Sequence, residues 1–291
     1  MSSILSLNAN ATDAEHVKPL AAEIDVHGLT HRGLVRAVNA DHFLVASFRR
    51  AMEVHASSLP PESFPPFSAD TRGFVFLVAD GVGAMPNAKE GSAQAADAVA
   101  RYLVDMGEVS MQADPERETE VTERLRSLVA RAHQRLMDFA EEAGGTAATT
   151  LTMVVAMFPR AFLFHAGDSR CYRLRDGRLE QMTTDQTMAQ VMIDAGAMSP
   201  EAARGSRLQH VLVSALGSSQ LDVQVRVTDM LRHDRLLLCS DGLTKHVSDA
   251  EIQEHLASDK GSRRVCEDLL ALALARGGED NITIIAGRAR T

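Results

Sequence analysis

The sequence is short of the features that define several large protein classes. Its 291 residues include only three cysteines, Cys171, Cys239 and Cys266, which are too few and too dispersed for a disulfide framework. The formal net charge is −9 and the basic residues form no dense run, which argues against a nucleic-acid partner. No apolar stretch approaches the roughly 20 residues of a membrane span. No basic residue precedes the apolar patch near the N-terminus, so a signal peptide is not indicated and a reduced, cytoplasmic protein is expected.

Several catalytic motifs are also missing. None of the cysteines is followed six positions later by arginine, as a thiolate phosphatase loop requires, and no Gly-x-Ser-x-Gly elbow occurs. Gly81-Val-Gly83 lacks the third glycine of a dinucleotide loop, and no Gly-Lys-Ser/Thr ending marks a nucleotide-binding loop. The histidines show no zinc spacing. Of the catalytic classes considered, the one left is chemistry assisted by a metal ion that carboxylate oxygens bind.

Four aspartates lie at the ends of short apolar runs that read as buried strands: Asp80 after 74–79, Asp168 after 162–167, Asp241 after 236–240, and Asp280 before 282–285. A carboxylate at the rim of a buried strand is partly desolvated, which costs free energy unless a cation compensates it. We therefore expect the four side chains to converge on one acidic pocket. Because every candidate ligand is an oxygen, the expected occupant is Mg²⁺ or Mn²⁺.

The order of periodic segments predicts the fold class. Strands are expected from residue 24 and at 41–48, 74–80, 151–157, 161–165, 171–174, 178–181, 223–228, 235–240 and 282–286. Helices are expected at 88–106, 115–142, 249–257 and 262–276, with a helical excursion at 185–204. Asp176-Gly177 is a strong hairpin signal, and hairpins indicate antiparallel sheet. We predict an α+β fold, a four-layer α-β-β-α sandwich of two antiparallel sheets flanked by helix pairs.

An ordered set of motifs resembles the metal-dependent Ser/Thr protein phosphatase family, type 2C, in its bacterial form. The blocks are Arg36-x-x-Asn39-Ala40-Asp41, Asp80-Gly81-Val82-Gly83, the threonine-rich strand 146–151, Gly167-Asp168-Ser169, Met182-Thr-Thr-Asp185, Ala215-Leu216-Gly217, Ser240-Asp241-Gly242 and Gly278-Glu279-Asp280-Asn281. Each block alone is weak, but together they follow the family order across residues 25–288. The expected organisation is a flexible leader at 1–22 and one catalytic domain at 23–290. That domain would contain a proline-rich insertion at 57–70 and a flap-like segment at 183–215.

The resemblance implies a role for each matching residue. Asp80 and Asp280 would bind two catalytic metal ions, Mn²⁺ or Mg²⁺, with help from the carbonyl of Gly81. Asp41 matches an aspartate near the same centre. Asp241 matches a further ligand and, with Asp168, would form a third metal site. Arg36 would hold the substrate phosphate, which a guanidinium fork suits well.

The function that the resemblance implies is hydrolysis of phosphoserine and phosphothreonine by a water that bridges the two metals and attacks phosphorus in line. The expected partners are phosphoprotein substrates and a bacterial Ser/Thr kinase that the enzyme opposes. A monomer without nucleic-acid or membrane partners is expected.

The chain departs from the family pattern at several positions. Ala40 stands where the family usually has glutamate, Val82 and Ala84 replace other motif residues, and Gln186 replaces a common histidine of the flap. Two alternatives therefore stay open. One is a catalytically weak or inactive phosphatase-like domain that binds phosphoproteins, and the other is a metal-dependent phosphatase of small molecules.

Overall fold

The computed structural model describes residues 18–48, 52–58, 73–82, 87–106 and 118–290. Its strands are β1 (Ile24–His31), β2 (Asp41–Phe48), β3 (Met52–Ser57), β4 (Gly73–Asp80), β5 (Leu151–Met157), β6 (Arg160–Ala166), β7 (Arg170–Arg175), β8 (Arg178–Gln181), β9 (Gln224–Asp229), β10 (Arg235–Cys239) and β11 (Ile282–Ala289). Its α-helices are α1 (Ala88–Met106), α2 (Glu118–Glu142), α3 (Met188–Asp194), α4 (Pro200–Ala203), α5 (Asp241–Thr244), α6 (Asp249–Ala257) and α7 (Ser262–Ala275). Short 3₁₀ turns occupy Ala21–Glu23 and Arg207–His210.

The strands form two antiparallel sheets. One has five strands in the order β1-β11-β10-β7-β8, and the other has six in the order β3-β2-β4-β5-β6-β9. Asp176 and Gly177 both have positive φ, as the predicted tight turn between β7 and β8 requires. The register between β2 and β4 pairs Asp41 with Asp80, so the start of one strand lies beside the end of its neighbour.

Three layers of buried side chains explain the stacking. Alternate residues of β2 and β4 point to opposite faces of the six-stranded sheet. Leu44 and Leu77 pack against α1 and α2, whereas Phe43 and Phe76 pack against the other sheet. The outer face of the five-stranded sheet packs against α6 and α7 through residues such as Leu237 in β10, Ile252 and Leu269. The molecule is therefore a four-layer α-β-β-α sandwich, as predicted.

Most predicted elements are present, with three corrections. The strand β3 was not predicted, and Ser57, assigned to an unpaired proline-rich loop, pairs with Leu44; residues 59–72 of that loop lie outside the described residues. The strand predicted at 235–240 ends one residue earlier, at Cys239, and Asp241, which follows it as predicted, begins the short helix α5, which was not predicted. The predicted excursion at 185–204 consists of two short helices and continues into a 3₁₀ turn. The leader residues 1–17 also lie outside the described part of the chain, and the domain boundaries stay predictions.

Among the described residues, no helix is both long enough and apolar enough to cross a membrane.

Candidate metal centre

The predicted site residues meet where the ends of both sheets come together. Asp41 and Asp80 come from the six-stranded sheet, and Asp168 lies in the turn that leads from β6 of that sheet into β7 of the other. Asp241 follows β10, and Asp280 precedes β11, the neighbour of β10 in the five-stranded sheet. The convergence predicted from the apolar runs is therefore present.

Three of these carboxylates form a tight cluster. One oxygen from each of Asp80, Asp168 and Asp241 lies within 4.8 Å of the other two. Burial raises the pKa of Asp80 well above its ordinary value, and the charges of Asp41 and Asp241 raise it further. Burial and the charge of Asp241 raise the pKa of Asp168 in the same way. The cluster therefore concentrates negative charge that a divalent cation would neutralise.

Beside this cluster, one carboxylate oxygen of Asp41 lacks a hydrogen-bond partner within the described part of the chain. Its Oδ2 accepts hydrogen bonds of 2.7 Å from the hydroxyls of Ser240 and Thr283. Within the described part of the chain, its buried Oδ1 has no hydrogen-bond partner. Burial raises the pKa of Asp41 despite the two hydroxyl donors. An orphaned, buried carboxylate oxygen beside three clustered carboxylates fits a hard cation with oxygen ligands.

Asp280 is held by two cationic side chains. Arg36 makes a two-pronged contact with it, Nε to Oδ1 at 2.7 Å and Nη2 to Oδ2 at 2.8 Å. Lys245 Nζ lies 2.7 Å from the same Oδ2 and 2.6 Å from Oδ2 of Asp241. Burial raises the pKa of Asp280, but the contacts from Arg36 and Lys245 outweigh burial and hold this pKa below its ordinary value. Asp280 is therefore anionic.

The loop that carries Arg36 is fastened to β11 by Asn281. Its side-chain nitrogen donates to the carbonyls of Arg32 and Val38 at 2.8 and 2.9 Å, and its Oδ1 accepts from the Ala40 amide at 2.8 Å. Gly33 has a φ of 78°, and a Cβ at that position would lie 2.1 Å from the carbonyl oxygen of Asp280. Only glycine allows the loop to approach the metal centre this closely.

Threonines fix the backbone of Asp80. The Asp80 amide donates to Thr150 Oγ1 at 3.1 Å, and the Asp80 carbonyl accepts from Thr149 Oγ1 at 2.9 Å. At Gly81 a Cβ would lie 2.3 Å from the carbonyl oxygen of Ala88, so a side chain is excluded there. These contacts set the direction of the Asp80 carboxylate and explain the threonine-rich block in the sequence.

The predicted flap leaves the metal centre and returns to it. Its two ends pair through Met188 N to Val211 O at 2.8 Å and Val213 N to Gln186 O at 2.9 Å. Gln186, in place of the family's common histidine, accepts from the Gly167 amide at 2.9 Å. The flap is thereby anchored one residue from Asp168.

A groove connects these parts. It is lined by the clustered aspartates, Arg36, Lys245 and the flap residues Arg204 and His210. Val35 and Val38 on the Arg36 loop also line it, and they are 69% and 54% exposed. The groove thus presents clustered acidic residues, several basic side chains and an apolar rim to one ligand.

Two functional candidates were missed by the sequence reasoning. Lys245 follows Asp241 by four residues, a spacing that brings two side chains together on a helix, so the signal was present. Ser240 orients Asp41 across 199 residues, and no sequence signal indicates such a contact. Gly83 and Ala84 lie outside the described residues.

Comparisons with known proteins identify relatives of this chain. The family model for protein phosphatase 2C matches residues 66–259. The chain is 39% identical over 137 residues to the serine/threonine protein phosphatase PstP of Mycobacterium tuberculosis, a match that covers 47% of this chain but only 26% of that protein.

Two crystal structures extend the likeness to nearly the whole chain. The M. tuberculosis phosphatase PstP/Ppp has a TM-score of 0.72 at 28% identity, covering 92% of this chain and 99% of that one. The catalytic domain of PstP in complex with two manganese ions has a TM-score of 0.68 at 27% identity, with the same coverage of both chains.

The four-layer fold, the carboxylate cluster and a family match over about two thirds of the chain lead to one conclusion. The chain belongs to the protein phosphatase 2C family.

Proposed function

We propose that this chain is a metal-dependent protein serine/threonine phosphatase that hydrolyses phosphoserine and phosphothreonine. The observation that carries the proposal is the cluster of Asp80, Asp168 and Asp241, with the orphaned Oδ1 of Asp41 beside it. The names of its relatives as serine/threonine phosphatases and the two manganese ions in the PstP crystal structure support the same activity here.

Each site residue has a part in the proposed chemistry. Asp41, Asp80, Asp168, Asp241, Asp280 and the carbonyl of Gly81 would hold two catalytic Mn²⁺ or Mg²⁺ ions and a third ion. When bound, such ions lower the pKa of water and neutralise charge on phosphate oxygens. Asp41 is oriented for this by Ser240 and Thr283.

Arg36 binds the phosphate group of the substrate. Its guanidinium already holds a carboxylate with two parallel contacts, which is the geometry that it would offer to two phosphate oxygens. No protein nucleophile is needed for the reaction. The three cysteines are buried in the core, and burial raises the pKa of the Cys171 thiol to about 12, so none serves as a thiolate.

The rim of the groove favours a peptide over a small phosphate ester. Val35 and Val38 are exposed on the loop around Arg36, and exposed apolar side chains beside a charged site suit the side chains of a polypeptide. We propose phosphoproteins as substrates, a Ser/Thr kinase as the opposing enzyme, and a cytoplasmic monomer as the working form.

One observation favours the alternative function, in which the domain binds phosphoproteins without hydrolysing them. Ala40 is buried at the edge of the groove where the family usually has a carboxylate, so one acidic side chain is missing from the centre. A phosphatase-like domain that binds phosphoproteins without cleaving them is therefore the second candidate.

Parallel binding and turnover assays distinguish these candidates. The purified chain with Mn²⁺ is tested on a phosphothreonine peptide, a phosphoserine peptide, an aryl phosphate and a small sugar phosphate. The proposal predicts phosphate release from both peptides, with a higher kcat/KM than for the sugar phosphate. Tight peptide binding without release would favour the rival, and preference for the sugar phosphate would favour a small-molecule phosphatase.

A further inference from the structure

Lys245 lies between two of the carboxylates that are proposed to bind metal. Its Nζ is 2.6 Å from Oδ2 of Asp241 and 2.7 Å from Oδ2 of Asp280. These two aspartates are 39 residues apart in the sequence, and they flank adjacent strands of the five-stranded sheet: Asp241 follows β10 and Asp280 precedes β11. One ammonium therefore links them where a metal ion would be expected to link them.

The position of Lys245 is built into the fold. Its backbone amide donates to the Asp241 carbonyl at 2.9 Å and closes the short helix α5. At Gly242, which follows Asp241, a Cβ would lie 2.0 Å from the Asn281 carbonyl oxygen, so α5 is pressed against the start of β11. This contact brings the lysine at the end of α5 to Asp280. The side chain is 23% exposed, so its charge is only partly screened by water.

Both oxygens of Asp280 are already occupied. Oδ1 accepts from Arg36 Nε and from the amide of Asn281, and Oδ2 accepts from Arg36 Nη2 and Lys245 Nζ. Within the described part of the chain, Arg36 forms an ion pair with Asp280 alone, whereas Lys245 pairs with both Asp280 and Asp241. A divalent cation that binds Oδ2 of Asp241 or Oδ2 of Asp280 must therefore displace the Lys245 ammonium from that oxygen.

We propose that Lys245 is an internal competitor of the metal: its ammonium neutralises Asp241 and Asp280 in the metal-free protein and lowers the apparent affinity for the divalent cation. The inference rests on the proposed metal-dependent function. The apparent affinity falls because only the fraction of molecules with free ligand oxygens can bind the ion. The same contact stabilises the metal-free fold, because it offsets the repulsion between neighbouring carboxylates.

The opposite role makes the opposite prediction. If Lys245 held Asp241 and Asp280 in the geometry that the metal needs, removing its charge would weaken metal binding. If Lys245 competes, removing its charge strengthens metal binding. The sign of the change in Mn²⁺ affinity therefore decides between the two roles.

The test is calorimetric titration of Mn²⁺ into the chelator-treated, dialysed full chain. The variants are Lys245→Met and Lys245→Gln, with Lys260→Met as the matched control. Lys260 also lies 2.7 Å from an aspartate, Asp268, but it does not line the groove, so the control removes the same charge elsewhere.

We expect both Lys245 variants to bind Mn²⁺ roughly tenfold more tightly than the wild type, because a partly buried charge contact is removed. Lys260→Met should match the wild type within about threefold. Metal-free melts provide a second measure: Lys245→Met should melt below the wild type, and saturating Mn²⁺ should close this gap.

Two outcomes would overturn the inference, and they are distinguishable. Wild-type binding with unchanged or weaker affinity in both Lys245 variants would remove the competitor role and leave the proposed function intact. A wild-type chain that binds no Mn²⁺ at all would contradict both the competitor role of Lys245 and the proposed metal-dependent function.

Discussion

Asp41 and Asp80 are register partners across the β2–β4 pair, so a buried and a partly buried carboxylate lie side by side at the end of one sheet. Side chains of direct partners in an antiparallel pair point to the same face. Like charges in this position destabilise a sheet unless something neutralises them. The strand register therefore places two carboxylates where a bound cation would neutralise their charge.

Replacing single ligands should separate the catalytic aspartates from ordinary turn residues. Asp80→Asn and Asp280→Asn should each lower kcat by roughly 10²-fold or more, because each removes charge from the catalytic cluster. Asp168→Asn should be milder on an aryl phosphate if it serves only the third metal. Asp138→Asn is the control, because Asp138 is exposed on α2, far from the site in the fold, and its side chain accepts a hydrogen bond from Gln134. Equal, small losses at all three site positions would assign them to turns.

The same Asp80→Asn change should stabilise the metal-free protein. Burial and neighbouring charges make the ionised Asp80 unfavourable, and asparagine has nearly the same shape without the charge. We expect a higher melting temperature than that of the wild type in EDTA, and a smaller gain from added Mn²⁺. A lower melting temperature in EDTA would show that the Asp80 charge supports the fold.

Arg36 variants should separate substrate binding from chemistry. Arg36→Ala should raise KM for a phosphopeptide, and Arg36→Lys should recover only part of the loss because lysine lacks the fork. Arg32→Ala is the matched control, since Arg32 is exposed on the same loop and its guanidinium donates to the backbone carbonyl of Ala37. An unchanged KM in Arg36→Ala would place Arg36 outside the phosphate site.

The residue at position 40 should determine the Mn²⁺ concentration that the protein needs for half-maximal activity. A carboxylate that supports metal ligands typically contributes about 10–100-fold to metal affinity, so Ala40→Glu should lower the Mn²⁺ concentration for half-maximal activity. Ala40→Gln adds nearly the same volume without the charge and should not lower it. Thermal melts of both variants test the alternative, because glutamate without a partner at this buried position would reduce stability. An Mn²⁺ requirement that is unchanged in Ala40→Glu would contradict the expectation.

The pH dependence of stability should include a contribution from His165. This residue is fully buried between Thr152 Oγ1 and the Thr184 carbonyl, and burial lowers its pKa to about 4. A depressed histidine pKa means that the unfolded chain takes up a proton first, so stability is lost as pH falls from about 6.5 to about 4. The loss amounts to about 3 kcal/mol at most.

His165→Asn should remove this part of the pH dependence. Denaturant unfolding at pH 7 and pH 5, with metal-free protein throughout, should give a smaller difference for His165→Asn than for the wild type. His233→Asn, at an exposed position, should keep the wild-type difference. An identical pH difference in all three proteins would contradict the buried, neutral histidine.

Much of the fold was predictable because both sheets are buried on two faces. Runs such as 74–79 and 151–157 are almost continuously apolar, and only a buried strand or helix has that pattern. The apolar residues of α2 recur at helical spacing, and those on its inner face, such as Val121, Leu125 and Leu136, are all buried. Local periodicity is therefore sufficient to predict a helix or strand that buries one of its faces in the core.

Pairing between distant segments was harder to predict. The strand β3 was not predicted, because its six residues offer only a short alternation of apolar and polar side chains. The prediction of an acidic pocket is confirmed for Asp80, Asp168 and Asp241, but the engagement of Asp280 by Arg36 and Lys245 depends on contacts across 244 and 35 residues. Such contacts follow from sheet register and helix placement, which composition and spacing do not contain.

The most direct measurement is the initial rate of phosphate release from a phosphothreonine peptide as Mn²⁺ is titrated into chelator-treated protein. The account predicts no release in EDTA, a saturable rise with Mn²⁺, and a loss of roughly 10²-fold in Asp80→Asn at saturating metal. Full activity after exhaustive chelation, or a Mn²⁺-loaded protein that binds the peptide and releases no phosphate, would contradict it.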